Sequence, residues 1–288
     1  MTRLVRLRDG DGRVRTGAAD GARIAVFDSE DPLALLDGLP EATDHVEALD
    51  PETLELPSPW RLLAPVAAPE TWAAGVTYER SRQARVAESR IESVYDLVYE
   101  AERPELFLKD AGGRRTVGPG EAIGVRADAT WSVPEPELAL VLDAGGRPLA
   151  VTIGNDVSSR DIEGANPLYL PQAKIYARAC ALGPALVVPE DWEAPFAIEL
   201  VVRDADGSVV FEGATSTASM RRSFAELVAY LGRDNPVARG TVLLTGTGVV
   251  PPDDVALRPG QRVEIHVPGI GTLVNPVGRP VEIVQSGV

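Results

Sequence analysis

Apolar and polar residues alternate along much of the chain. The stretches "RLVRL" at 3–7 and "ARIAVF" at 22–27 do so on either side of the polar turn "RDGDGR", which predicts a small β-rich unit at the start. Pro57, Pro59 and Pro65 then interrupt regular structure and mark a boundary between an N-terminal domain, 1–62, and a larger domain, 63–288. Further on the period changes. Val86, Ile91, Val94, Leu97 and Val98 recur at helical spacing and stop before Pro104. The charged opposite face of this segment predicts a helical lid near 80–102. After Pro104 the pattern is β again, in "ELFLK", "ELALVLD", "PLAVTIGND", "FAIELVVRD", "SVVFEG", "TVLLTG" and "RVEIHV", with Gly, Pro and Asp between them. One helix interrupts, "SFAELVAYLGR", with Phe224, Leu227, Val228 and Leu231 as its apolar stripe. Many strands and few helices predict an α+β fold that is mostly β, a mixed β-sheet roll, and argue against a doubly wound sheet.

Within that β region "VPEPELALVL" carries two acids in an apolar run. Side chains of a strand alternate faces, so Glu135 and Glu137 leave on the same side. On a half-exposed strand they would simply face water. Asp156, at the end of the apolar run "AVTIGND", offers a different outcome, because a neighbouring strand would bring it alongside them. Three carboxylates on an apolar sheet repel one another and are costly to desolvate unless a cation neutralises them. All-oxygen ligation suits Mg²⁺, with Mn²⁺ or Ca²⁺ as substitutes, better than zinc. The chain offers no thiolate cluster and only two histidines, His45 and His266.

Charge narrows the partners. Against 28 Lys and Arg stand 43 Asp and Glu, a net charge of −15, which repels phosphate backbones and anionic lipid, so neither nucleic acid nor membrane is an expected partner. The N-terminal residues lack the apolar core of a signal peptide, and a cytoplasmic location is expected. Cys180 is the single cysteine; in "ARACALGPALVV" it reads as buried packing. Arg160 and Asp161, just after Asp156, read as a pair or as caps of the following turn, and "PPDDVALRPG" reads as an exposed loop.

Four motifs in order, "PEPELALVL", "IGNDVSSRD", "LTGTG" and "VEIHVPGIGTLVNPV", resemble the fumarylacetoacetate hydrolase superfamily from about residue 63 to the end of the chain. The resemblance implies a β-roll catalytic domain, a homodimer or homotetramer, and a divalent metal held by Glu135, Glu137 and Asp156 to chelate a 2-oxo acid. Hydrolytic and decarboxylating members usually carry N-Y-x-x-H early in the domain, whose His pairs with a Glu to activate water. This chain reads "GVTYERS", with Ser81 where that His would stand. Together with "VYEAERPELFLK" and "SSRDIEGANPLYLPQAKIY", it is similar instead to the branch that dehydrates 2-keto-3-deoxy sugar acids.

That branch implies a small 2-keto-3-deoxy acid as substrate and a semialdehyde as product, in pentose catabolism. The rival readings are an acylpyruvate hydrolase or oxaloacetate decarboxylase, and a non-catalytic, metal-stabilised binding protein. Lys174 matches the lysine that the resemblance places beside the metal, as base at C3. A lysine must be neutral for this, and burial beside a cation works in that direction. Tyr78, Arg80, Ser81 and Arg82 are candidates for holding the substrate, the arginines by forked hydrogen bonds. Lys109, ending "ELFLK", and Thr247, in "LTGTG" between two glycines, complete the expected substrate-side set. The acid for the departing hydroxyl stays open among metal-bound water, the Lys174 ammonium and a lid carboxylate such as Glu92.

Overall fold

A computed structural model describes residues 2–80 and 98–280; Ser81, Arg82, Glu92 and most of the expected lid lie outside the described residues. Four strands at the start, β1 (Arg3–Arg8), β2 (Val14–Asp20), β3 (Arg23–Phe27) and β4 (Asp44–Glu47), form an antiparallel meander. Next come β5 (Arg61–Leu62), β6 (Glu70–Gly75), β7 (Glu105–Ala111), and the short β8 (Thr116–Val117), β9 (Ile123–Gly124) and β10 (Ser132–Val133). The long pair β11 (Pro136–Leu142) and β12 (Pro148–Asp156) is followed by β13 (Ser158–Ser159) and β14 (Cys180–Val187). Two short helices, α1 (Arg160–Ala165) and α2 (Leu170–Lys174), lie between β13 and β14. The chain closes with β15 (Ala197–Arg203), β16 (Val209–Ser216), α3 (Phe224–Leu231), β17 (Val242–Leu244), β18 (Arg262–Val267) and β19 (Gly271–Gly278).

These strands make a mixed, mostly antiparallel roll. The large sheet runs β4-β3-β2-β1-β14-β12-β11-β17-β6-β7, and a five-stranded sheet runs β16-β15-β18-β19-β9. The N-terminal meander is hydrogen-bonded into the large sheet, β1 meeting β14 at Leu4 and Leu186. Its own buried residues, Val5, Leu7, Ile24, Val26 and Leu54 among them, form a separate cluster.

The burial of β11 explains its composition. It sits between β12 and β17 with both faces covered, so its run is continuously apolar instead of alternating with polar residues. Leu138, Leu140 and Leu142 pack with Ile198, Leu200 and Ile265 of the second sheet. Ala139 and Val141 pack the other way, with Leu4, Phe27 and Leu182. With these apolar residues wholly buried, the strand is a rigid mount for whatever its N-terminal end carries.

The helix over 224–231 forms where its stripe predicts. Ser223 caps it by accepting from the Glu226 N–H at 3.1 Å, and Leu227 and Leu231 are buried. The alternation in "RLVRL" and "ARIAVF" becomes β1 and β3, but the residues after "RDGDGR" form a further strand, β2, that pairs with both. Among the described residues, no helix is long and apolar enough to cross a membrane.

Candidate active site

Strand pairing assembles the acids. Antiparallel β11 and β12 place Pro136 opposite Asn155, so Glu135 and Asp156 adjoin across the ladder; the Asp156 N–H donates to the Glu135 carbonyl at 3.0 Å. Asn155 fixes the same corner, its Oδ1 accepting from the Glu135 N–H at 3.1 Å. Glu137 shares the pleat of Ala139 and Val141. Each of Glu135, Glu137 and Asp156 offers an oxygen, all within 4.8 Å of one another, and all three side chains are buried. The water-facing alternative for Glu135 and Glu137 is therefore excluded.

Cations surround two of these acids. The Lys174 ammonium, at the end of α2, donates to Glu135 Oε2 at 2.5 Å, Asp156 Oδ2 at 3.1 Å and Ser158 Oγ at 2.5 Å. Lys109, wholly buried on β7, pairs with Asp156 Oδ1 and donates to the Val157 carbonyl at 3.0 Å. Arg160 reaches Glu135 Oε1 at 3.0 Å. Arg160 thus belongs to the site and does not cap the turn that follows it, because β13 leads it back under Glu135. Asp161 points elsewhere and accepts from the main chain and hydroxyl of Thr130.

Glu137 is held differently. The Gly246 N–H donates to its Oε2 at 2.5 Å, from a glycine with φ of 93° where a Cβ would overlap the Thr77 hydroxyl. Burial, first, and the nearby charges of Asp156 and Glu135, second, push its carboxyl well above the ordinary carboxylate range; the Gly246 N–H and Lys174 pull the other way. An all-oxygen set in which one buried acid resists ionisation fits a hard divalent cation, whose charge removes that resistance.

A small pocket opens over the triad. Gly75, Glu105, Phe107, Glu163, Lys174 and Thr247 line it together with Glu135, Glu137 and Asp156. The Lys174 ammonium lies 5.7 Å from the centre of the Phe107 ring. Tyr78, buried, has its phenol pushed up by burial and then by the Glu137 charge. Arg80 is exposed at the start of a helical turn. Of the expected residues, then, Lys174 and Thr247 join the triad in the pocket, Tyr78 senses Glu137, Lys109 supports Asp156 from within the fold, and Arg80 stays on the surface.

A family model described as fumarylacetoacetate (FAA) hydrolase C-terminal matches residues 72–278. The chain belongs to the fumarylacetoacetate hydrolase family. Within the family it is similar to a probable 2-keto-3-deoxyxylonate dehydratase of Haloferax volcanii, 47% identical over 94% of this chain and 91% of that protein. It is also similar to the 2-dehydro-3-deoxy-D-arabinonate dehydratase of Saccharolobus solfataricus, 46% identical over 75% of this chain and 74% of that protein. A solved 2-keto-3-deoxy-D-arabinonate dehydratase, complexed with magnesium and 2,5-dioxopentanoate, superposes with a TM-score of 0.84 at 40% identity, covering 96% of this chain and 99% of that one.

Two acids of this family member escape the sequence reading. Glu105 starts β7 beside a proline, where a charge reads as a solvated strand end. Its side chain instead lies against Gly75, its register partner on β6. Glu163 follows Asp161 by two residues on α1, which turns it to the other side of the helix and into the pocket. The "GVTY" glycine was the available signal for Glu105, since a glycine in a strand marks close approach by a neighbour.

Proposed function

We propose that this chain is a divalent-metal-dependent hydro-lyase that removes water from a 2-keto-3-deoxy pentonate and yields 2,5-dioxopentanoate. The observation that carries the reading is Lys174, buried inside hydrogen-bonding distance of two members of an acidic triad, in a chain 47% identical over 94% of its length to a dehydratase of that class.

Glu135, Glu137 and Asp156 would hold the metal, with magnesium suggested by the ligand of the solved relative. When bound, a magnesium ion supplies Lewis-acid stabilisation of the negative charge that develops on the C2 oxygen. Lys174 Nζ, neutral once Glu135 and Asp156 are engaged by a cation and no longer hold it as an ammonium, takes the C3 proton, with the Ser158 hydroxyl fixing its position. The C3–H electrons form the new C3–C4 double bond as the C4–O bond breaks. Glu105, which lines the same pocket as the triad, delivers a proton to the departing hydroxyl, which leaves as water. The resulting 5-hydroxy-3-ene tautomerises to the C5 aldehyde, so product equals substrate less one water. Thr247 shapes part of the remaining wall, Tyr78 lies buried near Glu137, and Arg80, Ser81 and Arg82 keep the substrate-holding role that the family resemblance implies. In this reading residues 63–288 carry the chemistry, residues 1–62 extend its sheet, and the active form is a cytoplasmic homodimer or homotetramer.

The test is a panel of 2-keto-3-deoxy acids, acylpyruvates and oxaloacetate given to the purified protein with Mg²⁺, with and without chelator. Semialdehyde from the sugar acid, lost on chelation and restored by metal, is expected. Pyruvate from an acylpyruvate or from oxaloacetate, with the sugar acid untouched, overturns the assignment.

A further inference from the structure

The two described ends of the chain around residues 81–97 meet on one loop. On one side the Arg221 main-chain N–H donates to the Thr77 carbonyl at 2.9 Å, and Tyr78 bridges to Met220. Thr77 in turn donates from its hydroxyl to the Thr245 carbonyl at 2.7 Å, next to the Gly246 that holds Glu137. On the other side the same loop holds Val98–Glu102. Arg221 donates to the Tyr99 carbonyl and lies 3.1 Å from the Glu100 carboxylate. Arg222 donates to the carbonyls of Glu102 at 3.0 Å, Val98 at 3.3 Å and Ala101, and to Glu226 on α3 at 2.5 Å.

Arg222 is itself 5% exposed, and its bonds are partly buried. The carbonyls it serves close a helical turn, where main-chain acceptors have no partner within the helix. A guanidinium satisfies several of them at once with a rigid fork, which a lysine cannot do. Glu102 is fixed further by the Tyr230 hydroxyl at 3.1 Å. Only Arg103 and Pro104 separate it from Glu105, and the proline ring removes one of the few free rotations between them.

We propose that Arg222 is a positioning residue for Glu105, fixing where β7 begins and hence where the Glu105 carboxylate stands over the triad, without touching the substrate. The inference rests on the role given to Glu105 under the proposed function. A misplacement of about 1 Å in a reacting group costs on the order of 10²-fold in rate.

The experiment is a double-mutant cycle on the Mg²⁺-loaded enzyme with R222Q, E105Q and the pair, reading kcat and KM for the 2-keto-3-deoxy acid, with Mn²⁺ affinity by calorimetry. R222Q is expected to lower kcat by about 10²-fold, to leave Mn²⁺ affinity unchanged, and to add little when E105Q is already present. The same loss in both backgrounds overturns the proposal, as does a Mn²⁺ affinity that falls in step with kcat. If E105Q alone leaves turnover intact, it is the role of Glu105 that fails, a distinct result. R222K, which keeps the charge but not the fork, is read in the same cycle should R222Q not fold; wild-type kcat in R222K overturns the proposal.

Discussion

Glu105 lies against the bare Cα of Gly75, its register partner across β6 and β7: a methyl group placed there overlaps the Glu105 carboxylate and little else. The glycine is the slot that lets a charged side chain fold back along its own sheet and enter the pocket. Gly75→Ala should therefore fold, because the far end of a flexible side chain can swing away, while the carboxylate leaves its place. A fall in kcat of about 10–10²-fold is expected, with a melting temperature close to that of the parent. Glu105→Gln should remove one limb of the pH–rate profile, which Gly75→Ala should keep. An unchanged profile in Glu105→Gln would exclude this residue as the proton donor.

Lys174 is the only base candidate placed by the sequence that the structure also brings into the pocket, so its removal should separate chemistry from metal binding. Lys174→Met is expected to lower kcat by about 10²–10⁴-fold. The same change takes a positive charge from beside Glu135 and Asp156, so Mn²⁺ should bind at least as tightly. Calorimetry with Mn²⁺ alongside steady-state turnover checks both halves. Loss of metal binding in step with activity would mean that Lys174 serves the triad's structure and not the proton transfer.

What the sequence made legible was decided by periodicity and spacing. Glu135, Glu137 and Asp156 were readable because a strand pleat and an antiparallel hairpin leave little freedom in where their side chains go. Glu105, Glu163 and Arg160 were not, because each sits where a charge has an ordinary explanation: a strand end or the first turn of a helix. Their places in the site follow from long-range register, Gly75 with Glu105 and Ser132 with Ser159, which the local charge pattern does not encode. The strand β14 was hidden for another reason. In "CALGPALV" a glycine and a proline break the β pattern, although all eight of its residues are buried.

Glu137 gives the protein a pH dependence whose sign can be worked out. Its carboxyl titrates well above the ordinary range in the folded chain, so without metal the folded state holds a proton that the unfolded state has released. That contribution favours folding below the unfolded value of about 4.3 and is lost as pH rises toward the folded one. A divalent cation cancels it by stabilising the ionised form. Chelated protein should therefore gain more from Mg²⁺ at pH 8 than at pH 5, measured as a rise in melting temperature. Glu137→Gln in chelator should melt above chelated wild type at pH 8, by about 2 °C or more per kcal/mol relieved, and should gain little from Mg²⁺. A Glu137→Gln protein that responds to Mg²⁺ like wild type would remove this residue from the metal site.

Cys180 offers a probe that is independent of the chemistry. It opens β14 with no exposed surface, and burial pushes its thiol up to about 12, so the thiolate that reacts with disulfide reagents is scarce as well as shielded. Because the residue pairs with Asp156 across β12 and β14, opening that ladder to expose the thiol also dismantles the triad. Native protein at pH 8 should leave a chromogenic disulfide unreacted over hours and consume one equivalent on unfolding in denaturant. Mg²⁺ should slow the residual reaction, since an ion bound only by the folded triad lowers the population of the opened form. Rapid labelling of the folded protein, with or without Mg²⁺, would show that β14 opens without global unfolding and that the triad stands on a looser strand than its burial implies.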